Sequence, residues 1–310
     1  MIKKYKISVP KSTLNEIYKK VRNFPWSAAQ NMNGWEYGTN LNYLKNISKY
    51  WITKYNWKKF ENKINSFKNY KTKVEDINLH FIFEKSKNPN SKQLLLLHGW
   101  PGSITEFLDI IPRLAHPEKF GGKIEDGFDI IVPSLPGFGF SSQIKKALGP
   151  RKIGKILNKF MVKNLGYKNY FVQGGDWGAT IAGWIGLDSS KNCKGIHINC
   201  LPLRHPKGTK NIKEKKWEKK FNFDQIMQEG YRTQQATKPQ TLSYAMIDSP
   251  VGTAAWILEK FHGWSDLKIG KIEKTFSKDE LLSNIMIYII TKSFNTASWI
   301  SVSYTHLTLP

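Results

Sequence analysis

Apolar residues recur at helical spacing near the start of the chain. Leu14, Ile17, Tyr18 and Val21 share one face of residues 10–25, which open at Pro10-Lys11-Ser12-Thr13 and stop at Pro25. A second helical stretch is predicted over residues 41–55, with Leu44, Ile47, Tyr50, Trp51 and Tyr55 as its apolar and aromatic positions. Trp57, Ile64, Phe67 and Tyr70 follow as an aromatic meander. From Ile77 the period changes. Leu79, Phe81 and Phe83 alternate with His80, Ile82 and Glu84, which predicts a strand. The unbroken run Leu94-Leu95-Leu96-Leu97 reads as a strand buried on both faces. Residues 129–132, 170–172 and 196–198 read as further strands, with helices over 104–114, 153–165 and 180–185 between or after them.

Alternating strands and helices imply right-handed crossovers and a mainly parallel α/β sheet. From about residue 201 the strand signal stops. Residues 215–300 read as helical, with breaks at Pro239 and Ser249-Pro250 and a close in residues 281–290 and 293–300. A helical block after a parallel sheet suggests a cap over an active site.

Composition changes this picture little. In 310 residues, 40% hydrophobic and 13% aromatic content supports a packed interior. The net charge of +24 raises the question of nucleic acid. The lysines are spread over the whole chain with no recognisable nucleic-acid module, and the dense run at 207–220 reads as a solvated helix face or loop. Cys193 and Cys200 form no metal pattern and no disulfide framework, which suits a reducing compartment. The basic start, Met1-Ile2-Lys3-Lys4-Tyr5-Lys6, is followed by no apolar segment of signal-peptide kind. A soluble, cytoplasmic protein without a membrane anchor is the expectation.

The candidate chemistry centres on Gly174-Gly175-Asp176-Trp177-Gly178-Ala179, between a predicted strand and a predicted helix. Small residues around a central nucleophile at such a junction form the nucleophile elbow of the α/β-hydrolases. Here the central residue is a carboxylate, which attacks carbon in an epoxide or alkyl halide and leaves an ester. The competing reading makes Asp176 a helix N-cap, a position that Asp favours. An N-cap needs neither the small flanking residues nor the loop His98-Gly99-Trp100-Pro101-Gly102 that follows the Leu94–Leu97 run. In hydrolases of this fold that loop supplies one oxyanion-hole amide, expected here from Trp100, with the other from Trp177. The Trp100-Pro101 bond could be cis, which sequence does not decide. His98, in a turn, reads as structural.

Several further pieces make the chain resemble the epoxide hydrolases of the microsomal type. They are Trp35-Glu36-Tyr37-Gly38, Leu41…Tyr43-Leu44, Tyr50-Trp51, Tyr55-Asn56-Trp57, the segments 95–102, 133–141 and 174–179, and Gly230-Tyr231…Gln235-Ala236-Thr237-Lys238-Pro239. Asp248-Ser249-Pro250-Val251-Gly252 and Ala255-Trp256-Ile257-Leu258-Glu259-Lys260-Phe261 complete the set. The resemblance implies an N-terminal meander over 1–75, an α/β-hydrolase core over 76–200 and a helical cap over 201–300. It implies Asp176 as nucleophile, Tyr231 as one of two cap tyrosines that donate a proton to the epoxide oxygen, and Trp57 and Trp177 as pocket aromatics. A phenol with pKa near ~10 suits that donation, because an alkoxide is a poor leaving group. The bland alternative for Tyr231 is a cap-helix core residue, and Tyr244 is a weaker candidate without matching context. The reaction needs an epoxide substrate and water, with no cofactor and no metal. Homodimerisation is left open.

The end of the chain departs from the pattern. The second cap tyrosine is expected directly after residues 293–300, where Ser301 stands; Tyr304 is out of register. A charge-relay acid and a general-base histidine are expected on loops after the last sheet strands, and His306 lacks the glycine-rich, strand-terminated surroundings of that base. The expectation is an epoxide hydrolase with its last core strands missing, a tail over 301–310 foreign to the family, and no completed turnover. Two rivals are a haloalkane dehalogenase, which shares the Asp-Trp-Gly elbow but needs no cap tyrosine, and a non-catalytic binding protein on the same fold.

Overall fold

A computed structural model describes residues 1–30, 34–200, 208, 210–267 and 271–306. Seven strands form one mixed sheet: β1 (Lys3–Lys4), β2 (Asn69–Val74), β3 (Ile77–Glu84), β4 (Lys92–Leu97), β5 (Phe128–Pro133), β6 (Tyr170–Gly174) and β7 (Cys193–Ile198). Their spatial order is β1-β2-β3-β5-β4-β6-β7. The pairs from β1 to β5 through β2 and β3 are antiparallel, and β5, β4, β6 and β7 run parallel. The sheet is therefore parallel where the site is built and antiparallel at one flank.

Burial explains the strand patterns. Leu95, Leu96 and Leu97 are buried because β4 is central and covered on both faces. In β3 the expected alternation gives way to burial of His80, Phe81 and Ile82 together. The predicted helix over 104–114 is instead a 3₁₀ turn (Ile104–Phe107) and a short helix with Pro112 in its first turn. Proline carries no N–H to continue the earlier turn, so one helix does not form.

The helices are α1 (Lys11–Arg22), α2 (Leu41–Thr53), α3 (Trp57–Asn65), α4 (Ile111–Ala115), α5 (Pro150–Lys159), α6 (Trp177–Asp188), α7 (Ile212–Gln228), α8 (Gly230–Thr237), α9 (Pro239–Asp248), α10 (Pro250–Gly263), α11 (Lys278–Ile290) and α12 (Phe294–His306). Both expected breaks start helices. Pro239 and Pro250 stand in the first turns of α9 and α10, and Ser249 caps α10 by accepting from the Gly252 amide. Helix α6 lies on β4, β6 and β7, while α11 packs on the N-terminal helices α2 and α3 and on the 3₁₀ turn after β4. Helix α12 runs on to His306, so residues 301–306 continue an established helix. The side chains of Tyr304 and His306, and residues 201–207, lie outside the described residues.

Candidate active site

Asp176 sits between the last residue of β6 and the first of α6 with φ 51° and ψ −127°, a backbone conformation that L-residues rarely adopt. Its side chain makes no cap bond to α6. The N-cap reading therefore describes its position but not what its carboxylate does. The small residues nearby have a spatial cause. A Cβ on Gly178 would collide with the Leu97 carbonyl, so glycine lets α6 start hard against β4. A Cβ on Gly99 would collide with Asp176 Oδ1.

The loop after β4 meets that carboxylate with its backbone. The Trp100 amide donates to Asp176 Oδ1 at 2.8 Å, and the Trp177 amide favours the charged form of the same carboxyl. The Trp100-Pro101 peptide is cis. Helix α11 holds the loop from behind: Asn284 Nδ2 donates to the Pro101 carbonyl at 2.7 Å, and the Tyr288 hydroxyl donates to the Gly102 carbonyl at 2.7 Å. Asn284 and Tyr288 are one helical turn apart and so share a face. Ser103 adds a bond to Asn284 Oδ1 at 2.8 Å. His98 is structural, accepting from the Leu135 amide at Nε2 (3.1 Å) with Nδ1 against the Gly99 carbonyl.

A second carboxyl group, that of Glu106, shares the site. It accepts from the Gly99 and Ser103 amides and curls over Gly102. Asp176 and Glu106 are both exposed residues, although neighbouring backbone crowds their carboxyl groups at Gly99 and Gly102. Enclosure pushes the Asp176 carboxyl up, and the Trp177 and Trp100 amides pull it back. Glu106 is pushed up to about 8 by enclosure and then by the Asp176 charge, against its two amide donors.

Tyr231, in α8, stacks on the Trp100 indole with centroids 5.1 Å apart and planes 7° from parallel. Trp264 meets it edge-on at 5.0 Å. Burial and then the Asp176 charge raise the phenol above its ordinary range, and that coupling puts Tyr231 within electrostatic reach of the nucleophile. The Lys260 ammonium lies 4.7 Å from the same ring. Tyr244 is 67% exposed and accepts from Gln240 on its own helix.

Trp57 is buried in the core at the start of α3. Its indole N–H donates to Glu61 Oε2 at 3.0 Å and its ring lies against Phe60. A buried indole needs an acceptor, and Glu61 supplies one a single turn away. Trp177 is half-buried against the core at the elbow. Glu106, Asn284, Tyr288 and Lys260 were not singled out by the sequence. A polar Asn within the apolar run 281–290 was the one available signal.

Among the described histidines, His80 is held between Ser134 and Asn69, His116 pairs with Glu84, and His262 stacks on Trp35. His197 is exposed on β7. No group of three His, Cys, Asp or Glu side chains able to hold a metal, and no helix long and apolar enough to cross a membrane, occurs among the described residues.

An acidic elbow at the carboxyl end of a parallel strand, faced by the amides of a neighbouring strand's loop and roofed by helices, defines an α/β-hydrolase. The family model for the alpha/beta hydrolase fold matches residues 92–268, and that for the epoxide hydrolase N terminus matches residues 2–107. Epoxide hydrolase 1 of Oryctolagus cuniculus is 36% identical over 320 residues, covering 94% of this chain and 70% of that protein. A relative from Stigmatella aurantiaca is 39% identical over 291 residues, covering 93% of this chain and 66% of that protein. Juvenile hormone epoxide hydrolase from the silkworm Bombyx mori superposes with a TM-score of 0.88 at 30% identity, over 98% of this chain and 77% of that one. The chain belongs to the epoxide hydrolase family and spans about two thirds of the length of these two sequence relatives.

Proposed function

We propose that this chain opens an epoxide through a covalent ester on Asp176. The observation that carries the reading is the Trp100 amide 2.8 Å from Asp176 Oδ1, on a residue whose indole also seats Tyr231. One carboxylate oxygen is held by amides, leaving the other to attack an epoxide carbon. As the ring C–O bond breaks, Tyr231 supplies the proton that the departing oxygen needs. The product is a hydroxyalkyl ester of Asp176. When water attacks the carboxyl carbon of that ester, negative charge returns to the oxygen already facing the Trp100 and Trp177 amides. Release of a vicinal diol would further need a base to take the proton of that water, a role that no described histidine fills at Asp176. In this reading residues 1–75 buttress the core, 76–200 carry nucleophile and oxyanion loop, and 201–300 bring the proton donor.

Incubating the chain with a small aryl epoxide and mapping peptides by mass spectrometry tests this. An adduct of epoxide mass on Asp176 is expected, and Asp176→Asn removes it. Halide release from an alkyl chloride without epoxide adduct would favour dehalogenation and overturn the proposal.

A further inference from the structure

Lys260 is 4% exposed, and a lysine that deep is rare without a partner for its charge. One partner is its chain neighbour, Glu259, at 2.5 Å. That pair alone does not require burial, since the Glu259 side chain reaches partly exposed ground. Lys260 Nζ instead lies over two aromatic rings, Tyr231 at 4.7 Å and Trp264 at 5.6 Å. With Trp100 stacked on Tyr231, the phenol is enclosed by an indole, a second indole edge and a cation. The charged groups acting on its hydroxyl are Asp176, Glu229 and Glu259, which favour the neutral phenol, and Arg232, which favours the phenolate; Lys260 meets the ring itself.

We propose that Lys260 is a positioning residue for ring opening, stabilising the phenolate left when Tyr231 gives its proton to the epoxide oxygen. This rests on the ring-opening reading above. The charges balance. Before reaction Asp176 is negative, and the positive charge of Lys260 is shared with the Glu259 carboxylate beside it. As the Asp176 oxygen bonds to carbon and the epoxide C–O bond breaks, the Tyr231 hydroxyl proton moves to the freed oxygen. Asp176 is then a neutral ester and the negative charge sits on Tyr231, against the cation. A cation over an aromatic face is attracted to the neutral ring and more strongly to its anion, so Lys260 favours the transferred state over the starting one. Tyr231 later regains a proton from water.

The test compares Asp176 alkylation by two epoxides in the wild-type chain, Lys260→Met and Lys260→Arg. One substrate is a simple alkyl epoxide. The other carries an electron-withdrawing group, so its alkoxide leaves with less help from a proton. Lys260→Met is expected to slow the alkyl epoxide about tenfold, the effect of roughly one pKa unit in the acid, and the activated one much less. Lys260→Arg should retain near wild-type rates, and a fluorinated, more acidic tyrosine at position 231 should restore Lys260→Met. Equal slowing of both epoxides would make Lys260 merely structural, and no slowing would remove its role; either overturns the proposal. If Lys260→Met fails to fold, Lys260→Gln replaces it. Absence of any Asp176 adduct in the wild type would overturn the ring-opening reading itself and this inference with it.

Discussion

The Trp100 indole and the Tyr231 phenol stack face to face, 5.1 Å apart and 7° from parallel. Trp100 belongs to the loop after β4 and Tyr231 to a helix more than a hundred residues later. The amide of Trp100 holds Asp176 Oδ1, so one residue meets the Asp176 carboxylate with its backbone and Tyr231 with its ring. The loop after β4 and helix α8 are registered to each other through that side chain.

Trp100→Ala should separate the two roles. The amide remains, while the ring that seats Tyr231 is lost, with an aromatic pair energy of about 0.5–1.5 kcal/mol. Asp176 alkylation by an epoxide is expected to fall by roughly two- to tenfold. Stability should fall by about 3–5 kcal/mol, as for other buried Trp-to-Ala changes. Stopped alkylation assays and urea denaturation measure the two effects, and an unchanged alkylation rate would show that Tyr231 is positioned without Trp100.

Asp176→Gly should stabilise the fold while abolishing the adduct. At φ 51° and ψ −127° a non-glycine residue carries strain of about 1–3 kcal/mol. Glycine relieves it, less about 1 kcal/mol of added chain entropy. A rise in Tm of about 2–4 °C is expected for a chain this long. Asp176→Asn keeps the strained backbone and should show no such rise.

Glu106 gives stability a pH dependence of definite sign. An ordinary glutamate releases its proton near 4.5, whereas the folded chain holds this one to about 8. Between those values the folded state binds more protons than the unfolded state, so stability falls as pH rises through that window. In Glu106→Gln that loss disappears. The Tm of the variant relative to wild type should climb from pH 5 to pH 8, and a constant difference would mean that Glu106 ionises normally.

Two buried histidines act at lower pH. Burial holds His80 down to about 3 and His98 down to about 4, with the Lys71 charge adding to the first. Unfolded, both take up protons near 6.5, so stability is complete above that value and declines as pH falls below it. Proton uptake on unfolding near pH 5 should include about two protons from these residues. His80→Asn, tested by the slope of unfolding free energy against pH, should remove about one.

The order of elements was legible because burial imposes a period on the sequence. The Leu94–Leu97 run became a central strand, and the helical spacing of Leu14, Ile17 and Val21 became the buried face of α1. Strand β2 was missed because Asn69–Val74 carries two uncharged polar residues and two lysines in six positions. It is ordered by pairing with β3, not by its own pattern. The helix over 104–114 divided at Pro112, a local signal outweighed by the apolar spacing around it.

The sequence by itself determined which residue types surround the elbow, because the strained turn and the close approach of α6 to β4 admit only small side chains there. It also determined that a carboxylate, not a hydroxyl, stands at the turn. The tertiary structure alone decided what that carboxylate meets. Beyond the Trp100 amide already expected there, the raised Glu106, the Asn284 and Tyr288 supports and the Lys260 cation come from segments far apart in the chain. It likewise committed Trp57 to Glu61. Local periodicity records how each segment buries its own face, whereas hydrogen-bond partners, enclosure and charge coupling depend on distances between segments that no single stretch encodes.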